Sequence, residues 1–360
     1  MATFDVLLPV KNGIAYFAEA LDSICNQSYQ DWRLLILDHG STDGSYELAI
    51  EYAARDARVV VHSFPEAKGL SGLLNCGLDI CDCQYVLRQD ADDISMSNRM
   101  DVIANVFAAD ENLVLVGSLG EVIDAEGKKI GSFNVPEDEY AIRAMTLFRT
   151  PIMHPTVAMR LSEIRKLNAR YGVDFLQILP VNQQIEVPGL AEDYFLFGQL
   201  ALVCKCENIQ QELIQYRWHG ANVSATKYIE QSNVALNISR NFIQALSLIH
   251  GVPGFDPAPF CNHGEKLIRF PTKSDFSQEY QLLKVILAKL VPDKKLYQRE
   301  IDYRWVISNR SIPVMVSRYL SFVIKYNASN NEWRSIRAWI VDTIKNRSTL
   351  TINTNGVLEG

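Results

Sequence analysis

The run Tyr85-Val86-Leu87-Arg88-Gln89-Asp90-Ala91-Asp92-Asp93 is an apolar stretch that stops abruptly in three carboxylates within four positions. Like charges this close repel, and a divalent cation among them is the usual remedy. Oxygen ligands with few sulfur or imidazole groups nearby favour Mg²⁺ or Mn²⁺ over zinc. A buried strand that ends in such a loop predicts an α/β enzyme that handles phosphates. The alternative for the segment alone is a solvated turn that caps a helix starting near Ser97.

Outward from this run, apolar strands alternate with helical patterns. Asp5 to Val10 reads as a strand and Ala15 to Cys25 as a helix. Arg33 to Leu37 is a second buried strand that ends at Asp38, followed by a helix over Ser45 to Arg55. Val59 to His62 reads as a third strand, and Leu70 to Ile80 as a helix leading into the acidic run. This alternation predicts a parallel, doubly wound sheet, whose ligands lie beyond the carboxyl ends of its strands. Asp38 and Asp90 both fall at such ends. Leu113 to Ser132 reads as a strand and hairpin around Asp124-Ala125-Glu126-Gly127, and Gly189 to Cys204 as a helix headed by Glu192-Asp193. From Lys227 the pattern is mainly helical, over Tyr228 to His250, Phe276 to Leu290 and on to Lys345. The boundary is placed near Thr226, giving a catalytic domain over 1–226 and a helical region over 227–360.

Composition narrows the class. The chain has 360 residues, 48% hydrophobic and 21% charged, which fits a folded protein with one large core and a smaller second unit. No stretch approaches the ~18 apolar residues of a membrane span, and Thr3 to Val10 reads as a strand rather than an export signal. The seven cysteines are an odd number, and the one-residue spacing of Cys81/Cys83 and Cys204/Cys206 is not that of a zinc knuckle. Free thiols in a reducing cytoplasm are expected. The net charge is −7, but Val291 to Arg347 carries 11 Lys/Arg against 5 Asp/Glu, leaving 24 against 37 elsewhere. An acidic core argues against nucleic acid as a partner. No Gly-x-Gly-x-x-Gly follows a strand, so a nicotinamide dehydrogenase is not expected.

Five segments in order carry a family likeness: Leu7-Leu8-Pro9-Val10-Lys11-Asn12-Gly13, Leu37-Asp38-His39-Gly40-Ser41-Thr42-Asp43-Gly44-Ser45, Asp90-Ala91-Asp92-Asp93, Ala191-Glu192-Asp193-Tyr194, and Tyr216-Arg217-Trp218-His219-Gly220-Ala221-Asn222-Val223-Ser224. Over about residues 4–225 the chain resembles a family-2 inverting glycosyltransferase. The resemblance implies a GT-A nucleotide-diphospho-sugar transferase fold: an α/β, doubly wound mixed sheet with a nucleotide-sugar half (about 1–110), an acceptor half (about 111–226) and a C-terminal helical region. With Gly69-Leu70 and Leu74 to Asp79, the acidic run is also similar to bacterial enzymes that extend lipopolysaccharide or lipooligosaccharide, β-1,3-N-acetylglucosaminyltransferases above all.

That resemblance assigns roles. Asp38 would accept the uracil imide N–H, and His39 departs from the second acidic residue common in the family. Pro9, Val10, Asn12 and Ser41 join Asp38 in nucleotide-sugar binding. So do Lys68, Gly69, Asn75, Arg88, Asp90, Ala91 and Asp92. Mn²⁺ or Mg²⁺ would be held by Asp92, Asp90 and His219, with Asp93 in the metal neighbourhood. Asp193 would be the general base that deprotonates the acceptor hydroxyl, with Glu192 as the alternative base or an acceptor-binding group. His154 and Trp218 would also face the acceptor. Read without the resemblance, Glu192 and Asp193 are first-turn carboxylates favoured by the helix dipole, and His219 is a packed residue.

The implied reaction is transfer of a sugar from a UDP-sugar to a bacterial surface glycan (lipopolysaccharide, lipooligosaccharide, O-antigen or capsule), with inversion. The donor would be UDP-GlcNAc first, then Gal, Glc or GalNAc, and the acceptor an oligosaccharide or lipid-linked glycan. The alternatives are a non-catalytic glycan-binding subunit on the same fold and a nucleotidyltransferase that makes sugar nucleotides. In the basic tail, Trp333, Ile336, Ile340 and Ile344 share one helical face beside Arg334, Arg337 and Lys345. That stripe fits a helix lying on an anionic leaflet, at the inner face of the plasma membrane. It equally fits packing on the catalytic domain or on a twin subunit, as in a homodimer.

Overall fold

The computed structural model describes residues 3–133, 135–220, 222, 226–261, 275–309, 311–327, 332–333, 336–337 and 340–341. Two compact units emerge: the first is 1–142, 150–176 and 185–226, and the second is 143–149, 177–184 and 227–360.

The first unit is built on β1 (Phe4–Val10), β2 (Trp32–Asp38), β3 (Val59–Ser63) and β4 (Tyr85–Arg88), with β1 paired in parallel to both β2 and β4 and β2 paired in parallel to β3. Helices α1 (Ile14–Cys25), α2 (Ser45–Arg55) and α3 (Gly69–Ile80) make the connections. The sheet then turns mixed, in the order β3-β2-β1-β4-β8-β6-β9-β5 with β7 on β6. Here β5 is Ile94–Ser95, β6 Leu113–Ile123, β7 Lys129–Phe133, β8 Ala158–Arg160 and β9 Lys205–Arg217. Strand β8 runs antiparallel to both β4 and β6, whereas β9 runs parallel to β6. The mixed, doubly wound sheet of the sequence reading is therefore present, and α4 (Arg99–Ala109) begins only after the β5 bridge.

Burial of alternate residues into two cores explains why β1, β2 and β4 are largely apolar. Leu7, Leu35, Leu37 and Val86 enter one core with Leu73, Leu74 and Leu78 of α3. Leu196, Phe197 and Leu200 of α7 (Glu192–Val203) join that core. Phe4, Val6, Leu8, Leu34, Ile36 and Leu87 enter the other with Phe17, Leu21 and Ile24 of α1 and Met100, Ile103 and Phe107 of α4. Both faces are covered, so both are mainly apolar, and the buried charges Asp5 and Arg88 are each paired, with Arg33 and Asp90. The short helices α5 (Glu139–Thr146) and α6 (Leu161–Lys166) complete the series up to α7.

Close approach of α3 to the sheet requires Gly77. A Cβ there would lie 2.6 Å from Leu37 Cδ1 and 2.9 Å from Leu7 Cδ2. Gly77→Ala is expected to destabilise by about 1–3 kcal/mol, the usual cost of overpacking a filled core, read as a lower melting temperature.

The second unit contains α8 (Tyr228–His250), α9 (Ser277–Leu290), α10 (Lys294–Ile307) and α11 (Ile312–Tyr326). Its core gathers Val306, Ile307, Met315, Tyr319 and Phe322 around Ile336, which is fully buried. Trp333 stacks on Tyr319 at 5.7 Å, and Ile340 packs against the same cluster. The described part of the tail stripe thus faces this core. Trp339, Ile344, Arg334 and Lys345 lie outside the described residues. Among the described residues no helix is long and apolar enough to cross a membrane, and all seven cysteines are free thiols.

Candidate active site

The loops after β1 and β2 are stitched to each other. Asn12, at φ 54°, donates its N–H to Ser41 Oγ and accepts from Thr42 N through Oδ1 at 2.8 Å. Gly13 N donates to Ser45 Oγ and Ile14 N to Asp43 Oδ2. Asp38 is buried at the end of β2, and its carboxylate accepts from Gly40 N (3.0 Å) and Ser41 N (3.1 Å). His39 turns away to the Ala67 carbonyl at 2.8 Å. Pro9 and Val10 are buried in β1, and Pro9 lies past Leu7, the last residue of β1 paired with β4, where a missing N–H breaks no β4 ladder bond.

The acidic loop is held by buried arginines. Arg88, 1% exposed, donates from Nη2 to Asp90 Oδ1 (2.5 Å), from Nε to His154 Nε2 (3.2 Å) and from Nη1 to the Gln89 carbonyl. Arg99, fully buried, donates to Gln89 Oε1, Ser95 Oγ and the Arg88 and Pro155 carbonyls. Burial pulls the Arg99 guanidinium down to about 9. Arg217, at the end of β9, donates its main-chain N–H to Asp93 Oδ1 (2.8 Å), Nε to the Asp92 carbonyl (3.0 Å) and Nη2 to Glu19 (2.6 Å).

Asp92 Oδ2 meets His219 Nε2 at 2.9 Å. The expected trio of Asp90, Asp92 and His219 is not gathered as such. Among the described residues the one set of three donors within 4.8 Å of one another is Asp5, Asp82 and Cys83. The reason is Arg88, whose guanidinium draws the Asp90 carboxylate to itself. The Asp5 group is no better a metal centre: Asp5 already accepts from Arg33 and from the N–H groups of Asp82 and Cys83.

A divalent cation fits the chemistry around Asp92 nonetheless. Burial, followed by the charge of Asp90, raises the Asp92 carboxyl. Asp93 is pushed well above the ordinary carboxylate range by burial and by both neighbours. Its Oδ2 is buried without a hydrogen-bond partner. Asp90 has Arg88 to neutralise it, but Asp92 and Asp93 are two raised acids short of positive charge, and with oxygen and imidazole donors to hand they suit Mn²⁺ or Mg²⁺.

The other half of the site opens α7. Leu190 and Ala191 are both left-handed (φ 61° and 67°), which costs ~1–2 kcal/mol for each non-glycine residue. The strained turn starts the helix directly at Glu192-Asp193. A helix N-terminus favours ionised carboxylates, but burial outweighs it here. Asp193 is raised to about 6 and Glu192 to about 7, in each case by burial first. The Asp90 charge raises both further and Arg88 lowers both, so the α7 pair and the acidic loop act on each other electrostatically.

Other residues fall as follows. Asn75 is held by Tyr171, donating to its carbonyl (3.0 Å) and accepting from its N–H (2.9 Å). Lys68 and Gly69 are exposed at the start of α3, and Ala91 is half-buried between Asp90 and Asp92. His154 packs against the Tyr171 and Phe197 rings and is driven down to about 3 by burial and by Arg88, so it is neutral. Trp218 is 42% exposed beside His219. Ala221, Val223 and Ser224 of the last motif lie outside the described residues. Sequence reasoning gave no role to Arg99, Glu19 or Tyr16. A signal existed only for Arg99, a cation nine residues after Asp90 on the acidic loop's own helix.

A sequence profile described as Glycosyl transferase family 2 matches residues 5–166, the segment that supplies β1, β2, β4 and the acidic loop. The chain carries a family 2 glycosyltransferase domain. Asp193, at the head of α7, and His219, just after β9, lie beyond the matched segment. The chain is 26% identical over 218 residues to an Escherichia coli UDP-Gal:alpha-D-GlcNAc-diphosphoundecaprenol beta-1,3-galactosyltransferase, covering 60% of this chain and 74% of that protein. It is 26% identical over 240 residues to the E. coli O-antigen biosynthesis glycosyltransferase WbnJ, covering 64% and 86%. The crystal structure of S. aureus TarS 1–349 in complex with UDP-GlcNAc superimposes with a TM-score of 0.52 at 12% identity, over 99% of this chain and 95% of that one. The profile match thus gives the family over residues 5–166, and the superposition shows the GT-A fold.

Proposed function

We propose that this glycosyltransferase moves a hexose or N-acetylhexosamine from a UDP-sugar to a bacterial surface glycan by single displacement, giving a β-linked product. The observation that carries the reading is the mutual electrostatic influence of the Asp90–Arg88 pair and the α7 carboxylates, with Asp193 raised to about 6. A group with that value is ionised at neutral pH yet basic enough to take a hydroxyl proton.

In this reading Asp38 accepts the uracil imide, and Asn12 and Ser41 hold the two nucleotide loops together. Asp92 and His219, with Asp93 behind them, would hold the divalent cation. When bound, that cation supplies positive charge against the diphosphate. Arg88 fixes Asp90, and Asp193 takes the proton of the acceptor hydroxyl as it attacks the anomeric carbon. Glu192, raised beside it by the same burial, would serve as an acceptor-binding group, with the base role as its alternative. Residues 1–110 would serve the donor and 111–226 the acceptor.

The names of the two E. coli relatives support a UDP-sugar donor and an O-antigen-type acceptor, with UDP-Gal standing beside UDP-GlcNAc as a candidate. UDP release from a panel of UDP-sugars, with and without Mn²⁺, tests this. Metal-dependent turnover with one donor is the expected result, and no UDP binding under any condition would overturn the reading.

A further inference from the structure

Tyr16 lies in the first turn of α1 and belongs to none of the residues assigned above. Its ring stacks on the His219 imidazole, with centroids 5.2 Å apart and planes 29° from parallel. The Arg217 guanidinium stands 4.5 Å from the same ring's centroid. Glu19, three positions on and so on the same helix face, takes Arg217 Nη2 at 2.6 Å. Helix α1 therefore grips the end of β9 at two points, just where that strand delivers Arg217 to Asp93 and His219 to Asp92.

We infer that Tyr16 is a positioning residue for His219, fixing the imidazole plane so that Nε2 stays aimed at Asp92. The inference rests on the reading of Asp92 and His219 as holders of a divalent cation. The main chain of His219 is set independently, through its N–H to Asn222 Oδ1 at 2.5 Å, and Asn222 Nδ2 in turn donates to the Arg217 carbonyl. That pins the backbone and leaves the ring plane to the contacts of the side chain, those with Asp92 and Tyr16 among them. Asp92 constrains one atom of the imidazole, and the Tyr16 stack constrains its plane. An imidazole free to swing loses part of its affinity for a metal to the entropy of re-ordering, as with other groups that orient a ligand from outside. Tyr16 is only half-buried, so packing the core is a small part of what its ring does.

The test is direct Mn²⁺ binding by electron paramagnetic resonance, on the full chain with UDP present and no turnover required. Wild type, Tyr16→Phe and Tyr16→Leu are compared, with a melting curve for each and Tyr16→Gln as a second ring-less variant should Leu not fold. Mn²⁺ affinity is expected to fall about 10–100-fold in the ring-less variants and to stay at the wild-type level in Tyr16→Phe, which keeps the stack. Wild-type affinity in Tyr16→Leu would overturn the inference and leave the metal reading standing. Equal weakening in Tyr16→Phe would overturn it too, since the ring alone would then not suffice. Absence of Mn²⁺ binding in the wild type would overturn the metal reading and the inference with it.

Discussion

Asp193→Asn lowers turnover by about 10²–10⁴-fold, the usual contribution of a general base, and leaves UDP binding intact. Asparagine keeps the shape and the backbone contacts of the helix start but cannot take the acceptor's proton. The pH profile separates this from a general loss of structure. The wild-type rate should fall on the acid side with a midpoint near 6, where Asp193 gains its proton. Protonation removes the base, so activity is present above that value and lost below it. Because Glu192 and Asp193 lie side by side and both are raised, the limb reports the pair. In Asp193→Asn the residual rate should no longer follow that limb. Glu192→Gln should cost far less in turnover and raise the KM for acceptor. A larger loss in Glu192→Gln than in Asp193→Asn would exchange the two roles.

Asp92→Asn abolishes metal-dependent turnover and raises the melting temperature of the metal-free protein. Removal of one charge-stabilising group ordinarily costs about 10²–10³-fold in rate, and Asp92 is the acid that meets His219. Stability moves the other way because the metal-free loop holds Asp90, Asp92 and Asp93 together, and only Asp90 has a guanidinium on it. Burial and the Asp90 charge already disfavour ionised Asp92, so a neutral amide relieves repulsion while its Oδ1 still reaches the imidazole. The functional residue is a destabilising one, as is common at sites that wait for a ligand. Melting curves with EDTA and with Mn²⁺ check both halves: the variant should melt higher in EDTA and lose the wild type's gain on adding Mn²⁺.

The run from β1 to β4 was legible because its strands are buried on both faces. Such strands read as unbroken apolar runs, and the polar residue ending each run, Asp38 or Asp90, stands out. Strand β9 was not legible. Its pairing with β6 shifts register around Ser118 to Gly120, which breaks the period-two alternation over Lys205–Arg217. That strand nevertheless carries Arg217 and aims His219, so its motif was recognised before its place in the sheet could be. Strand β5, two residues long, and β8, three, are below the length at which periodicity means anything. The left-handed pair Leu190-Ala191 escapes too, because neither residue is the glycine such a turn normally advertises. The placement of Asp90 depends on competition that spacing alone does not reveal. Arg88 points to the same side of the loop and takes the carboxylate, whereas Asp92 is left for His219.

The most direct test of single displacement with Asp193 as base needs no identified acceptor. Water can replace the acceptor hydroxyl, and the anomer first released from an α-configured UDP-sugar records the stereochemistry before mutarotation erases it. Followed by proton NMR, wild-type hydrolysis should release the β-anomer first, and Asp193→Asn should release almost none. First appearance of the α-anomer, or hydrolysis at the wild-type rate in Asp193→Asn, would contradict the account.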